Sequence, residues 1–279
     1  MDRARGTPPE QAPGTQAEEA PRPPRPEKGT ELRVFGVNAC LAVHAKRPQA
    51  IRKAYLLESR VPQFKAMLAD LAKRKIGYRL VPGEDLDKLT QSTHHEGVCL
   101  DVLRQFPVPV TSWLAGRDRA ERKRPSLLLL LDGVANPHNF GAVLRIAAHF
   151  GAEAVLLPPG TKLSLSGAAA RVAEGGAEAV DVLVLKDHTT DLAALERTGY
   201  KLVATSVRGG TDLYTAQLPR QAVVMFGSES GGLTDALLRR AQERVRIPGT
   251  GAVESLNIAS AVAVIAAEHW RRHPRGTET

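Results

Sequence analysis

Three polar turns, each placed after an apolar strand-like run, carry the residues of this sequence that could do chemistry. The first is Asn136-Pro137-His138-Asn139-Phe140-Gly141, with Arg145 six residues beyond Asn139. Asn139 is placed to cap a helix over 139–150. At a rise of about 1.5 Å per residue Arg145 then stands less than two turns from the helix mouth, and its long side chain can reach back toward the loop. A guanidinium is a permanent cation, suited to an anion or to an oxygen gaining negative charge. A solvated arginine on an amphipathic helix has the same spacing. The second turn is Phe226-Gly227-Ser228-Glu229-Ser230-Gly231-Gly232-Leu233. It resembles a hydrolase nucleophile elbow only superficially, because that pattern needs serine where Glu229 stands. A carboxylate between glycines at a strand end can orient an arginine or a ligand, or simply neutralise a helix N-terminus.

The third turn is the longest, running from Arg246-Ile247-Pro248-Gly249-Thr250-Gly251 to Glu254-Ser255-Leu256-Asn257. Proline removes a donor and fixes φ, the glycines let backbone approach a bound group, and the following helix leaves unpaired N–H groups at its start. An ordinary strand-to-helix turn capped by Ser255 reads the same way locally. Gly249-Thr250-Gly251 lacks the third glycine of a dinucleotide fingerprint and ends its domain instead of opening it, which argues against a Rossmann site.

These turns need a scaffold that brings their ends together. The run Ser126-Leu127-Leu128-Leu129-Leu130-Leu131-Asp132 is the pattern of a strand buried on both faces of a parallel sheet. Strands are expected over 154–157, 180–185, 201–207, 222–226 and 243–247, alternating with helices over 139–150, 166–174, 191–198, 233–241 and 255–270. Such alternation implies an α/β domain with a mainly parallel sheet, whose ligands sit outside the carboxyl ends of the strands.

Upstream, residues 31–104 read as a small αβ domain. Strands are expected over 33–37, 51–57, 78–81 and 98–103, with a helix from Asn38 to Ala45, another bearing Phe64, Met67, Leu68 and Leu71, and a short one near Leu86 and Leu89. Basic clusters at Lys46, Arg47, Arg52 and Lys53 and at Lys73, Arg74 and Lys75 suit RNA contact or plain solubility. His94-His95-Glu96-Gly97 reads as a turn, with no further ligand at metal-binding spacing. Residues 105–124, with their prolines and a charged run, are expected to link the domains and to hold a short helix near Trp113. Residues 1–30 are Pro-rich and nearly free of large apolar side chains, so they are expected to be a disordered tail.

Across 279 residues the hydrophobic fraction is 43% and the formal net charge +8, which excludes a membrane or disordered protein and suits a polyanionic partner. No segment has the apolar length of a membrane span or of a signal-peptide core. Cys40 and Cys99 lie in apolar contexts, as buried thiols in a reducing compartment do, so the protein is expected in the cytoplasm.

Taken together, Asn139-x-Gly141-x-x-x-Arg145, Gly227-x-Glu229-x-x-Gly232-Leu233 and Ile247-Pro248-x-x-Gly251-x-x-x-Ser255-Leu256-Asn257 resemble, in order and spacing, the signature motifs of the SpoU/TrmH family of SPOUT-class RNA ribose 2′-O-methyltransferases. Residues 125–279 would be the methyltransferase domain. Residues 31–104 resemble the small RNA-binding domain, of the ribosomal-protein αβα type, that precedes it in many members. The resemblance implies an α/β fold with a deep C-terminal trefoil knot, S-adenosylmethionine bound among the knotted loops, no metal, a tRNA or rRNA substrate, and a homodimer whose site draws on both subunits. Carried over by position, Arg145 would be catalytic, supported by Asn139, Glu229, Ser255 and Asn257. Gly227, Ile247 and Leu256 would meet the cofactor mainly through backbone, with Thr205 nearby. The chain departs from the family at Gly249, where methionine is common, at Ala259, where serine is, and at Glu96, where glutamine is frequent. A non-catalytic RNA-binding or ribosome-assembly protein retaining the fold is the alternative.

Overall fold

A computed structural model describes residues 30–118, 120, 124–228 and 231–274. The expected tail lies outside these residues except for Thr30. The first unit consists of β1 (Glu31–Phe35), α1 (Val37–Lys46), β2 (Ile51–Leu56), α2 (Lys65–Lys73), β3 (Tyr78–Leu80), α3 (Gly83–Thr90) and β4 (Val98–Leu103). Its sheet runs β1-β4-β2-β3, with β4 antiparallel to both neighbours and β3 parallel to β2. α1 and α2 cover one face through Cys40, Val43, Phe64, Met67 and Leu71; Leu86 of α3 packs on Phe35, Tyr55 and Cys99 on the other.

The α1 terminus departs from the expected cap at Asn38. Gly36 occupies the cap position at φ 95°, and the Val37 N–H donates to Glu96 Oε2 at 2.7 Å. A glycine tolerates that backbone, which leaves a single residue between strand and helix, and a distant carboxylate then serves the exposed N–H. Asn38 turns outward to a residue of the second unit.

The second unit holds β5 (Val108–Pro109), α4 (Val110–Ala115), β6 (Ser126–Leu131), α5 (Pro137–His149), β7 (Ala154–Leu157), α6 (Gly167–Ala173), β8 (Asp181–Val184) and α7 (His188–Arg197). It continues with β9 (Lys201–Thr205), β10 (Thr211–Asp212), β11 (Gln221–Phe226), α8 (Asp235–Arg240), β12 (Glu243–Arg246) and α9 (Ile258–Arg272). Its eight strands are ordered β10-β12-β9-β11-β6-β7-β8-β5, and every adjacent pair is parallel. β6 lies inside the sheet with all its residues buried. Leu127, Leu129 and Leu131 join the core under α5, α6 and α9, and Leu128 and Leu130 the core under α4, α7 and α8, as the two-residue period of a strand requires. No helix among the described residues is long and apolar enough to cross a membrane.

The stretch expected to be a connector contributes structure of its own. β5 pairs with β8 at the sheet edge, and Val110 and Leu114 of α4 are buried against the core. The Trp113 Nε1–H donates to Asp181 at 2.8 Å, and the Arg117 guanidinium lies 4.3 Å from the Trp113 ring centre.

The two units meet along α6. Ala170 belongs to the core of the first unit, while its neighbours Ala169 and Ala173 belong to that of the second. The approach is close: a Cβ on Gly167 would fall 2.4 Å from the Arg33 carbonyl oxygen, so only glycine fits. Beside it the Arg47 guanidinium grips Glu178 through two hydrogen bonds, of 2.6 and 2.8 Å, and donates a third to the Leu103 carbonyl.

Candidate active site

The parallel sheet sets the carboxyl ends of β12, β9, β11 and β6 side by side along one edge, about 5 Å apart. Three of the turns that leave these ends are the polar turns of the sequence. The first leaves β6 at Asp132. Asn136, not Asn139, caps α5, its side chain accepting from the His138 N–H at 2.8 Å with Pro137 in the first helical position. The Asn-Pro pair was the available signal, since proline is pre-formed for that position.

The second turn closes on itself, Ser228 N–H to Gly232 O at 3.1 Å and Gly232 N–H to Ser228 O at 2.9 Å. A Cβ on Gly227 would fall 1.9 Å from the Gly232 carbonyl carbon, so backbone alone can form this wall. Gly227→Ala is therefore expected to force the turn open and abolish cofactor binding in a titration while far-ultraviolet circular dichroism stays near wild type; binding within twofold of wild type would show the turn to be irrelevant to that site. Glu229 lies outside the described residues. Sequence reasoning missed Asp132, which is buried at the end of β6 and accepts from the Thr234 N–H at 3.1 Å, tying the second turn to the first.

The third turn ends at Asn257, which caps α9 by accepting from the Ala259 N–H at 2.9 Å; Ser255, expected as the cap, is exposed two residues earlier. The Asn257 Nδ2 also donates to Asn139 Oδ1 at 3.2 Å, joining positions 118 residues apart. Ile247 is half-buried, Leu256 and Val253 are exposed, and Arg208 reaches across to Glu254 at 2.9 Å. Thr205 stands at the end of β9 with its hydroxyl donated to the Met225 carbonyl, so it braces β11. Backbone, small residues and exposed apolar side chains line this edge.

Arg145 lies elsewhere on α5. It is seven residues from His138, hence on the same helical face, and both line a cleft of about 830 Å³ between the two units. The opposite wall is Leu32, Arg33 and Phe35 of β1 with residues 89–94 at and after the end of α3, and α6 supplies Gly167, Arg171 and Val172, with Glu174 just past its end. Gly227, Ile247 and Leu256 are not in that lining. The charges there are mostly matched. Arg33 donates to Asp101 and to the Leu89 carbonyl; Arg171 bonds Glu96 at 2.6 Å, the His94 carbonyl at 3.0 Å, and Glu174. Glu96 is thus answered by Arg171 and by the α1 terminus. Burial raises the Glu174 pKa, but hydrogen bonds from Asn38 and Arg171 and the charges of Arg171 and Arg145 outweigh it and hold the carboxyl below its ordinary value. Among the described residues the Arg145 guanidinium makes no hydrogen bond.

Residues 126–267 match the SpoU rRNA Methylase family, and residues 33–106 match RNA 2′-O ribose methyltransferase substrate binding. The chain is similar to the uncharacterized tRNA/rRNA methyltransferase YfiF of Escherichia coli O157:H7, 36% identical over 89% of this chain and 70% of that protein. It is 31% identical to the 23S rRNA (guanosine-2′-O-)-methyltransferase RlmB of Nitrosomonas europaea, over 88% of this chain and 93% of that one. In fold it resembles the AdoMet-bound rRNA methyltransferase of Sinorhizobium meliloti, with a TM-score of 0.71 and 22% identity over 88% of this chain and 89% of that one.

Proposed function

The chain belongs to the SpoU rRNA methylase family, and on that premise we propose how its residues divide the work of methylating RNA. The reaction is transfer of a methyl group to a ribose 2′-hydroxyl of rRNA or tRNA, with S-adenosylmethionine as cofactor. When bound, the cofactor supplies an electrophilic methyl carbon on a sulfonium. Gly227, Ile247 and Leu256 would hold it at the carboxyl edge of the sheet through backbone and apolar contact, with Thr205 forming part of the wall.

A 2′-hydroxyl is a poor nucleophile, so the site must align it and stabilise the negative charge that grows on its oxygen as the proton leaves. Arg145 takes that role. Its guanidinium remains protonated, so it acts as an electrostatic clamp on the 2′-oxygen or the adjacent phosphate. The single observation carrying this assignment is that Arg145 reaches a cleft without a hydrogen-bond partner among the described residues, whereas Arg33 and Arg171 beside it are paired. Asn139 and Asn257 lock the starts of α5 and α9 together, Ser255 belongs to the turn before α9, and Glu229 takes a supporting role by its place in the motif.

The cleft of Arg145 does not include the cofactor turns, and the reading joins the two through a second copy of the chain. A homodimer would set Arg145 of one copy against Gly227, Ile247 and Leu256 of the other. The exposed apolar side chains Val207, Tyr214, Val253 and Leu256 favour this, since all four lie on or beside the turns concerned. The C-terminal trefoil knot and a cytoplasmic location belong to the same reading. Cys40 and Cys99 support the latter as buried free thiols, Cys99 being pushed up to about 12 mainly by burial.

Incubation with methyl-labelled S-adenosylmethionine and RNA from a strain lacking this gene should place label on ribose 2′-oxygens, found after nuclease digestion as 2′-O-methyl nucleosides. Label confined to bases would sink the reading. RNA binding with no transfer would restore the non-catalytic alternative.

A further inference from the structure

The cleft between the units is more than a gap beside Arg145. Its lining includes the apolar side chains of Leu32, Phe35 and Val172, and its far rim is the end of α3 with the loop that follows, Leu89 to His94. That loop is held rigidly by its own bonds. The Thr90 hydroxyl lies 2.8 Å from Leu86 O and 2.9 Å from Ser92 O and donates its one proton to one of them, and the His94 N–H donates to the Ser92 hydroxyl at 3.1 Å. Gln91 sits at its apex with φ 54°, a left-handed conformation in which a non-glycine residue is strained, and its side chain is exposed. Among the described residues its amide makes no hydrogen bond. The loop therefore brings a primary amide, one donor pair and one acceptor, to a cleft that Arg145 also lines, its guanidinium making no hydrogen bond among the described residues and having the Glu174 carboxylate as its charged neighbour.

From this juxtaposition we infer that the cleft seats the nucleobase of the nucleotide being methylated, with Gln91 bonding its edge while Arg145 holds its ribose or phosphate. The inference rests on the role given to Arg145 above and extends it to the choice of nucleotide. Apolar side chains in the lining accept a planar base face, an amide at the rim matches the paired donors and acceptors of a base edge, and a cation lies toward the sugar. Single-stranded RNA is the substrate form required, since a paired base cannot enter. Because α6 packs into both cores, the small unit is set beside α5 and presents the base to the catalytic helix of its own chain.

Gln91→Gly provides the test, because glycine suits the left-handed backbone and removes the side chain with its amide. The probe is a pool of unmodified ribosomal and transfer RNA, with binding followed by fluorescence anisotropy in the absence of methyl transfer. The variant should melt no lower than wild type, bind the cofactor as wild type does, and bind the RNA about tenfold more weakly. Unchanged RNA affinity would overturn the seat. In a second arm Gln91→Cys is tagged with a photo-cross-linker, which the buried Cys40 and Cys99 leave selective for position 91. Cross-links should fall on the methylated nucleotide or its immediate neighbour; cross-links found only at distant nucleotides would overturn the inference. A wild-type chain that binds the pool but transfers no methyl group would overturn the assigned reaction, and the anisotropy arm would still decide the seat.

Discussion

Arg145→Ala is expected to reduce methyl transfer at least about a hundredfold while leaving the fold and cofactor affinity intact. The size follows from removing one pre-placed charge opposite a developing oxyanion, which typically costs about 10²–10³ in rate. The absence of a stability cost follows from the structure: the side chain is exposed and makes no hydrogen bond among the described residues, so its removal should change unfolding by less than about 0.5 kcal/mol. Arg145→Lys keeps the charge and loses the planar fork, and should recover only part of the rate. Calorimetric cofactor titration, thermal unfolding and label transfer separate the three quantities. A full rate in Arg145→Ala would remove the residue from its role.

The same variant tests the shared site. Arg145→Ala and Gly227→Ala should each be inactive alone, one lacking the cation and the other the cofactor turn. Mixed and re-equilibrated, they form heterodimers in which one site has an intact Arg145 from one copy and an intact Gly227 from the other. Activity should return to about a quarter of wild type if copies exchange freely. That figure counts half the dimers as mixed, each with one working site of two, and assumes no preference in pairing. No recovery would mean that one chain supplies both parts of its own site.

Arg47→Ala should be the most destabilising polar substitution in the chain. The Arg47 side chain is only 7% exposed, and the Glu178 side chain only 5%. Deleting one member leaves the other charge buried without a partner, which costs roughly 3–5 kcal/mol. At roughly 2–4 °C per kcal/mol for a chain of this size, the unfolding midpoint should fall by about 10 °C. Replacing the pair together, Arg47→Met with Glu178→Leu, should recover most of the loss, because the desolvation cost of both charges disappears with their attraction. A midpoint within 2 °C of wild type for Arg47→Ala would show that the ion pair does not hold the units together. RNA affinity should fall with the midpoint, since the rim of the cleft and Arg145 stay in register only while the units are docked.

Most of the framework was legible in the residues taken in order. Strands at 98–103 and 154–157 fell where alternation and apolar runs placed them. The leucine run of β6 announced a strand buried on both faces because no polar side appears in it. The motifs around Arg145, Gly227 and Asn257 were visible as strand-to-turn junctions whose glycines and proline have few other uses. These are local properties, set by steric preference and by the period at which apolar side chains recur.

The helix starts were less legible. Asn139 and Ser255 have the right chemistry for caps, yet Asn136 and Asn257 hold those places. Several polar residues stand in line at each terminus, and which one caps depends on where the preceding loop leaves the chain. Asn139 is released by that choice to meet Asn257, a contact between positions 118 residues apart that no local rule contains.

Amino-acid order by itself determined the two α/β units, the parallel sheet and the three turns at its carboxyl edge, because each follows from the chain's immediate neighbours. Only the tertiary structure decided that α6 serves both cores, that Glu96 is answered by Arg171, and that Arg145 faces the small unit's loop. Those outcomes depend on a helix meeting a sheet more than a hundred residues away, at a separation that Gly167 permits and that Arg47 and Glu178 close. Close packing of surfaces is a property of the whole fold, and a local pattern carries no record of it.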